Sequence, residues 1–198
     1  MAVVLITGGA RSGKSQFAQE MAAKSGKRVL FVATAQAGDE EMLRRIETHR
    51  RSRPSTWRTL EAPIRLGATI SKEAGDSEVI LLDCITLLVN NLIGPFLSRD
   101  GTDIDETRSE QAVTEEVNDL LGCLRFSKAD FLIVTNEVGL GLVPDNKLGR
   151  VYRDILGKAN QVLAGVADEV YFMVSGLPLK VKSMGETPGL PERQIQSQ

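Results

Sequence analysis

Residues 8–15 read Gly-Gly-Ala-Arg-Ser-Gly-Lys-Ser, which fits the pattern G-x-x-x-x-G-K-[ST]. A short apolar run, Val3–Ile6, precedes it. A stretch from Lys14 to Lys24 follows, with Phe17, Ala18, Met21 and Ala22 at helical spacing. The segment therefore has to fold as strand, tight loop and helix, in that order. Gly8 and Gly13 allow backbone angles that other residues resist. Successive N–H groups can then point inward at a phosphate, helped by the positive end of the helix. In such a loop Lys14 reaches the β- and γ-phosphates and the Ser15 hydroxyl serves Mg²⁺. Backbone and side chains of Gly8, Gly9, Ala10, Arg11, Ser12, Gly13, Lys14 and Ser15 are thus the first nucleotide-binding candidates.

The rest of the chain agrees with that start. Further apolar runs recur at Val29–Ala33, Val79–Leu82, Phe131–Val134 and Val170–Val174. They are continuous rather than alternating, as expected of strands covered on both faces. Helical stretches separate them: Glu40–Arg51 with Met42, Leu43, Ile46 and His49 on one stripe, then Glu106–Arg125 and Lys147–Ala164. The expected fold is α/β, a three-layer P-loop (RecA-like) architecture around a mostly parallel central sheet. Residues 1–182 read as one nucleotide-binding catalytic domain. Residues 183–198, with two Pro, two Gly and almost no apolar side chains, read as a flexible tail. Leu97–Asp105 reads as a polar surface loop.

Composition excludes several classes. With 24 Lys+Arg against 26 Asp+Glu the net charge is −2, so nucleic acid is not an expected partner. A single His and two Cys without C-x-x-C spacing argue against zinc and thioredoxin-like sites. The two isolated thiols suit a reducing, cytoplasmic setting. The apolar start breaks at Gly8-Gly9, too early for a signal-peptide core or a membrane span.

Two further segments carry chemistry. Val79-Ile80-Leu81-Leu82-Asp83 is an apolar run ending in an acid, which places Asp83 as a Mg²⁺ ligand, direct or through water. The alternative is that Asp83 caps a helix starting at Cys84. His49, the only imidazole, sits among Arg44, Arg45, Arg50, Arg51 and Arg53. Arginine forks suit phosphate oxygens. Yet a solvated arginine face, with His49 extending the buried stripe of Met42 and Ile46, is the reading that the residues alone favour.

The order and spacing of GGARSGKS, RIETHRRSRPSTWRTLEAP, LLDCIT and TNEVGLGLVP change that balance. Together they resemble the bifunctional adenosylcobinamide kinase / adenosylcobinamide-phosphate guanylyltransferase family of cobalamin biosynthesis, from about Val3 to about Lys182. The motif from Arg45 to Glu61 is the most specific part. The resemblance implies that adenosylcobinamide is phosphorylated by a nucleoside triphosphate, ATP or GTP. GMP is then transferred from GTP through a guanylylated His49, giving adenosylcobinamide-GDP. It also implies nucleotide contacts at Ala33, Thr34, Ala35, Arg50, Arg51, Ser52, Arg53, Glu61 and Asp83, and a homo-oligomer such as a trimer. Both reactions would share one site, and the resemblance identifies no corrinoid-binding residue.

Two other functions remain open at this level. One is a generic phosphate-loop kinase or ATPase in which His49 is structural. The other is a GTPase-type switch, which Asn146-Lys147-Leu148-Gly149 disfavours because the acid of N-K-x-D is missing. Glu137, after the fourth apolar run, is either a substrate-orienting group or a loop cap. Trp57 reads as an anchor packed after the histidine segment.

Overall fold

A computed structural model of the protein describes residues 1–36, 40, 44, 47, 50 and 53–185. Seven strands form one sheet: β1 (Val3–Gly8), β2 (Val29–Ala33), β3 (Arg58–Glu61), β4 (Val79–Asp83), β5 (Asp130–Val134), β6 (Glu169–Val174) and β7 (Leu177–Lys182). Their order is β3-β2-β4-β5-β1-β6-β7, all parallel except the β6–β7 hairpin. The longer helices among the described residues are α1 (Lys14–Lys24), α2 (Leu66–Glu73), α3 (Ile85–Ile93), α4 (Glu106–Phe126) and α5 (Lys147–Val166). This is the phosphate-loop α/β fold that the strand–helix alternation predicts.

Both faces of the sheet are covered, so the strand runs are apolar at every position. Val4, Ile6, Phe31, Leu81, Leu132 and Val134 turn toward α1, where Ala18 and Ala22 meet them. Leu5, Leu30, Val32, Ile80, Leu82, Phe131 and Ile133 turn the other way, onto α2, α3, α4 and α5. Each fully buried Leu, Ile, Val or Phe contributes about 1.5–3 kcal/mol relative to exposure. Trp57 packs against the α1-side cluster, as the anchor reading expects.

Five strands coincide with the apolar runs, and two do not. β3 is Arg-Thr-Leu-Glu and lies at one edge of the sheet, with most of its residues exposed. β7 lies at the other edge, where Leu177, Leu179 and Val181 stay exposed. Edge strands need not carry apolar side chains on both faces. The loop at Leu97–Asp105 is present, pinned by the buried Ile104 and a bridge from Leu97 to Ile104.

α2 starts without a capping side chain of its own, since Arg65 precedes it in the left-handed region (φ 58). The cap comes from α4. Glu116 accepts hydrogen bonds from the Arg65 and Leu66 amides at 2.9 and 2.6 Å, and Asp119 from Ala68 at 3.0 Å. Glu116→Ala is expected to cost about 1–2 kcal/mol, the scale of a lost cap. That is a fall of roughly 2–8 °C in Tm, readable by thermal denaturation.

Candidate active site

The carboxyl ends of the strands line up. Glu61 pairs with Ala33, Ala33 with Asp83, Asp83 with Val134, and Val134 with Ile6. One row of residues thus crosses β3, β2, β4, β5 and β1. At about 4.8 Å per strand, Glu61 stands roughly 14 Å from Val134. Ligands of open α/β sheets bind outside these carboxyl ends. A cleft of about 850 Å³ opens there.

The phosphate loop forms one wall. Its shape depends on φ angles of +146° at Gly8, +56° at Arg11 and +93° at Gly13. A Cβ on Gly8 would lie 2.6 Å from the Met173 carbonyl oxygen, whereas one on Gly9 would meet nothing within 4 Å. Gly8→Ala is therefore expected to cost roughly 3 kcal/mol, strain and clash together, and Gly9→Ala close to nothing. Urea denaturation of the pair measures the difference. The hairpin turn between β6 and β7 props the loop from outside, with the Gly176 amide donating to the Ser12 carbonyl at 3.0 Å.

Lys14 is only 7% exposed. Its Nζ donates to the Gly9 carbonyl at 2.5 Å and to Ser12 Oγ at 3.4 Å. Burial pulls its pKa down from the ordinary lysine value, with Cys84 and Asp83 opposing. An anion arriving here would relieve that penalty. The first turn of α1 carries no acidic residue, so its positive end is unneutralised.

Ala10, Arg11, Ser12, Gly13, Lys14 and Ser15 all line the cleft. So do Ala33, Ala35 and Asp83 at the strand ends, and Arg50, Arg53 and Glu61 opposite the loop. Gly8 and Gly9 shape the loop from behind without lining the cleft. Thr34 is fully buried. Its hydroxyl donates to the Cys84 carbonyl and accepts from the Cys84 amide, both at 2.8 Å, so it ties β2 to β4 rather than facing the cleft. His49, Arg51 and Ser52 lie outside the described residues, as does most of the Glu40–Arg51 stretch; Glu40, Arg44, Glu47 and Arg50 are helical.

Asp83 does not cap α3. The N-cap position there is Cys84, without a side-chain cap bond. Burial pushes the Cys84 thiol up to about 12, which leaves it protonated and a poor nucleophile. Ser15 and Asp83 offer hard oxygen donors on the same cleft. No set of three or more His, Cys, Asp or Glu is gathered for a metal among the described residues. Such a sparse donor set fits Mg²⁺, which takes one or two protein oxygens and completes its shell with phosphate and water.

Arg50 pairs with Glu61 on the wall opposite the phosphate loop. The Arg53 guanidinium lies 3.4 Å from the centroid of the Phe31 ring. Its Nε and Nη1 are buried and have no hydrogen-bond partner among the described residues. Burial, partly opposed by Asp83, pulls the Arg53 pKa down. An arginine held with spare donors beside a cleft is arranged to receive acceptor oxygens. Four cationic side chains, Arg11, Lys14, Arg50 and Arg53, face two carboxylates, Glu61 and Asp83.

Comparison with known proteins decides the family. Residues 4–181 match the family described as cobinamide kinase / cobinamide phosphate guanyltransferase. The chain belongs to this family. It is 42% identical over 181 residues to the bifunctional adenosylcobalamin biosynthesis protein CobU of Escherichia coli, covering 91% of this chain and 99% of that protein. The CobU protein of Salmonella typhimurium is 41% identical over 181 residues, with the same coverages. The bifunctional adenosylcobalamin biosynthesis protein CobP of Pseudomonas aeruginosa is 45% identical over 178 residues, 90% of this chain and 96% of that protein. The protein is therefore a transferase of a family that joins a kinase to a guanyltransferase.

The cleft also takes in residues that were not among the site candidates read from the sequence. Phe31 lines the cleft beneath Arg53 but was hidden inside an apolar strand run. Thr86 and Asn136 also line it. Asn136 had one available signal, its place just past the end of β5. Glu137 takes the loop-cap role: its Oε1 accepts from the Gly139 amide at 2.7 Å. Among the described residues, no helix is long and apolar enough to cross a membrane.

Proposed function

We propose that this chain phosphorylates the hydroxyl of adenosylcobinamide with a nucleoside triphosphate, ATP or GTP. It then transfers GMP from GTP to that phosphate, through a guanylylated His49, to give adenosylcobinamide-GDP. The observation that carries the reading is the single row Glu61–Ala33–Asp83–Val134–Ile6. It runs the phosphate loop, a carboxylate and a cationic wall along one cleft.

In the kinase step the acceptor oxygen bonds to the γ-phosphorus, the β–γ bridging bond breaks, and the nucleoside diphosphate leaves. The loop amides and Lys14 hold the β- and γ-phosphates, so catalysis is mainly positioning and charge stabilisation. Ser15 and Asp83 are the residues that would hold Mg²⁺, which when bound offsets charge on the phosphate oxygens. In the transferase step an imidazole nitrogen of His49 bonds to the α-phosphorus of GTP and pyrophosphate leaves. The corrinoid phosphate then takes the guanylyl group and the P–N bond breaks. Neutral imidazole is a competent nucleophile near pH 7. Arg50 and Arg53, neighbours of His49 in the chain, supply cationic donors for the transferring phosphates. Arg51 and Ser52 complete the proposed nucleotide contacts from the same segment, with Ala33 and Ala35 at the end of β2 and Thr34 holding that end in place from behind.

The continuous sheet supports residues 1–182 as one catalytic domain. The exposed apolar row Leu177, Leu179 and Val181 on edge strand β7 supports a homo-oligomer.

Incubation with adenosylcobinamide, Mg²⁺, ATP and GTP tests the reading by product analysis. The expected products are adenosylcobinamide phosphate first and adenosylcobinamide-GDP second. Nucleotide hydrolysis with the corrinoid unchanged would contradict it and leave a generic phosphate-loop ATPase.

A further inference from the structure

β5 lies between β4, which ends in Asp83, and β1, which leads into the phosphate loop. Val134 is level with Asp83 on one side and Ile6 on the other. Asn136, two residues further on, therefore stands between the carboxylate and the phosphate loop and lines the cleft. Its backbone is held at both ends. The Asn136 amide donates to Thr86 Oγ1 at 2.8 Å, and the Asn136 carbonyl accepts from Asn160 Nδ2 at 3.0 Å. Thr86 and Asn160 are themselves buried, and Asn160 Oδ1 accepts from Thr135 Oγ1 at 2.7 Å. Three elements thus fix the backbone of one residue on both sides: β5, α3 through Thr86 and α5 through Asn160.

The Asn136 side chain has no part in that clamp. Neither its Oδ1 nor its Nδ2 makes a hydrogen bond among the described residues. A neutral amide on a rigidly held backbone, with a free donor at the cleft, is poor architecture for packing and good architecture for recognising a phosphoryl group. Its place along the row sets which phosphorus it meets. Lys14 and Asp83 mark the β- and γ-phosphate end of a phosphate-loop nucleotide. Arg50 and Glu61 lie at the opposite end, with Glu61 two strands from Asp83 and three from Val134 along the row.

We infer that Asn136 is a catalytic residue of the kinase half-reaction, its Nδ2 donating to an equatorial oxygen of the transferring γ-phosphoryl group. Thr86 and Asn160 are its positioning residues. The step balances as an ordinary phosphoryl transfer. The acceptor oxygen gains the γ-phosphorus, the β–γ bond breaks, the nucleoside diphosphate departs and the hydroxyl proton is released to solvent. Asn136 holds the oxygen charge during transfer and takes no proton. This inference rests on the proposed kinase activity and goes beyond it by dividing the cleft: Asn136 serves the γ-phosphorus and not the α-phosphorus.

The test compares two readouts in each variant of the full chain. One is steady-state phosphorylation of adenosylcobinamide with γ-labelled nucleotide. The other is self-guanylylation with α-labelled GTP. Asn136→Ala is expected to lower the kinase kcat on the order of 10²-fold, the scale of one lost transition-state donor. KM for nucleotide should stay within about threefold, and guanylylation should stay near wild type. Asn136→Asp, which keeps the acceptor and loses the donor, should fall at least as far. Thr86→Val should lower kinase kcat roughly tenfold through the clamp, and Thr86→Ser should restore it. Full kinase activity in Asn136→Ala overturns the inference, as does an equal loss of both readouts. A wild-type protein that never phosphorylates the corrinoid overturns instead the function on which it rests.

Discussion

Lys14→Met is expected to abolish both activities while leaving the free protein at least as stable as wild type. The two halves of that expectation come from the same fact. Lys14 is a cation buried beneath the phosphate loop, held by the Gly9 carbonyl and Ser12 hydroxyl, with Asp83 near enough to favour its charge. Burying a charge costs free energy unless it is fully paired. A thioether of similar length removes that cost and keeps the packing. The nucleotide then loses the one lysine that reaches its β- and γ-phosphates. A fall on the order of 10³-fold or more in both reactions is expected, because a full charge is worth more than the 10²–10³ of a single neutral donor. Kinetics beside a thermal melt measure both halves. Retained kinase turnover would mean that the nucleotide site is elsewhere. A large loss of Tm would mean that Lys14 is structural.

Much of this was legible in the sequence, and for identifiable reasons. The phosphate loop could be read because its glycines are there for backbone angles that are indeed positive at Gly8 and Gly13. The five inner strands could be read because both faces of the sheet are buried. β3 and β7 could not, since an edge strand such as Arg-Thr-Leu-Glu has little apolar signature. For Asp83 the sequence offered ligand or cap, and the structure removes the cap alternative by putting Cys84 at that position. Asn146, weighed as part of a guanine-reading element, proves to be the N-cap of α5, its Oδ1 accepting from the Gly149 amide at 2.7 Å. Short polar side chains at helix starts are usually local caps. Phe31 and Thr86 were invisible for a different reason. Their cleft-facing role depends on which neighbour arrives across the sheet, and no local pattern encodes that.

The arginines show how sequence and structure divide the work. Their clustering around His49 was visible as charge, but a charged cluster is more often a solvated face. The structure separates them. Arg50 is paired with Glu61, while Arg53 is stacked on Phe31 with donors in reserve. Both line the cleft that holds the phosphate loop and Asp83. His49, their neighbour in sequence, is the residue on which the proposed guanylyl transfer depends.

His49→Ala is expected to eliminate guanylyl transfer by at least the order of 10³-fold, since no second imidazole exists in the chain to replace it. Kinase turnover should survive, because phosphoryl transfer at the γ-phosphorus needs the loop and Lys14 rather than a covalent nucleophile. The loss should therefore split the two activities cleanly, where Lys14→Met removes both. The most direct measurement is incubation of the full chain with α-labelled GTP and Mg²⁺, denaturation, and counting of label on the polypeptide. The account predicts acid-labile label close to one per chain in the wild type and none in His49→Ala. Absence of label in an active wild type, or label persisting in His49→Ala, would contradict it.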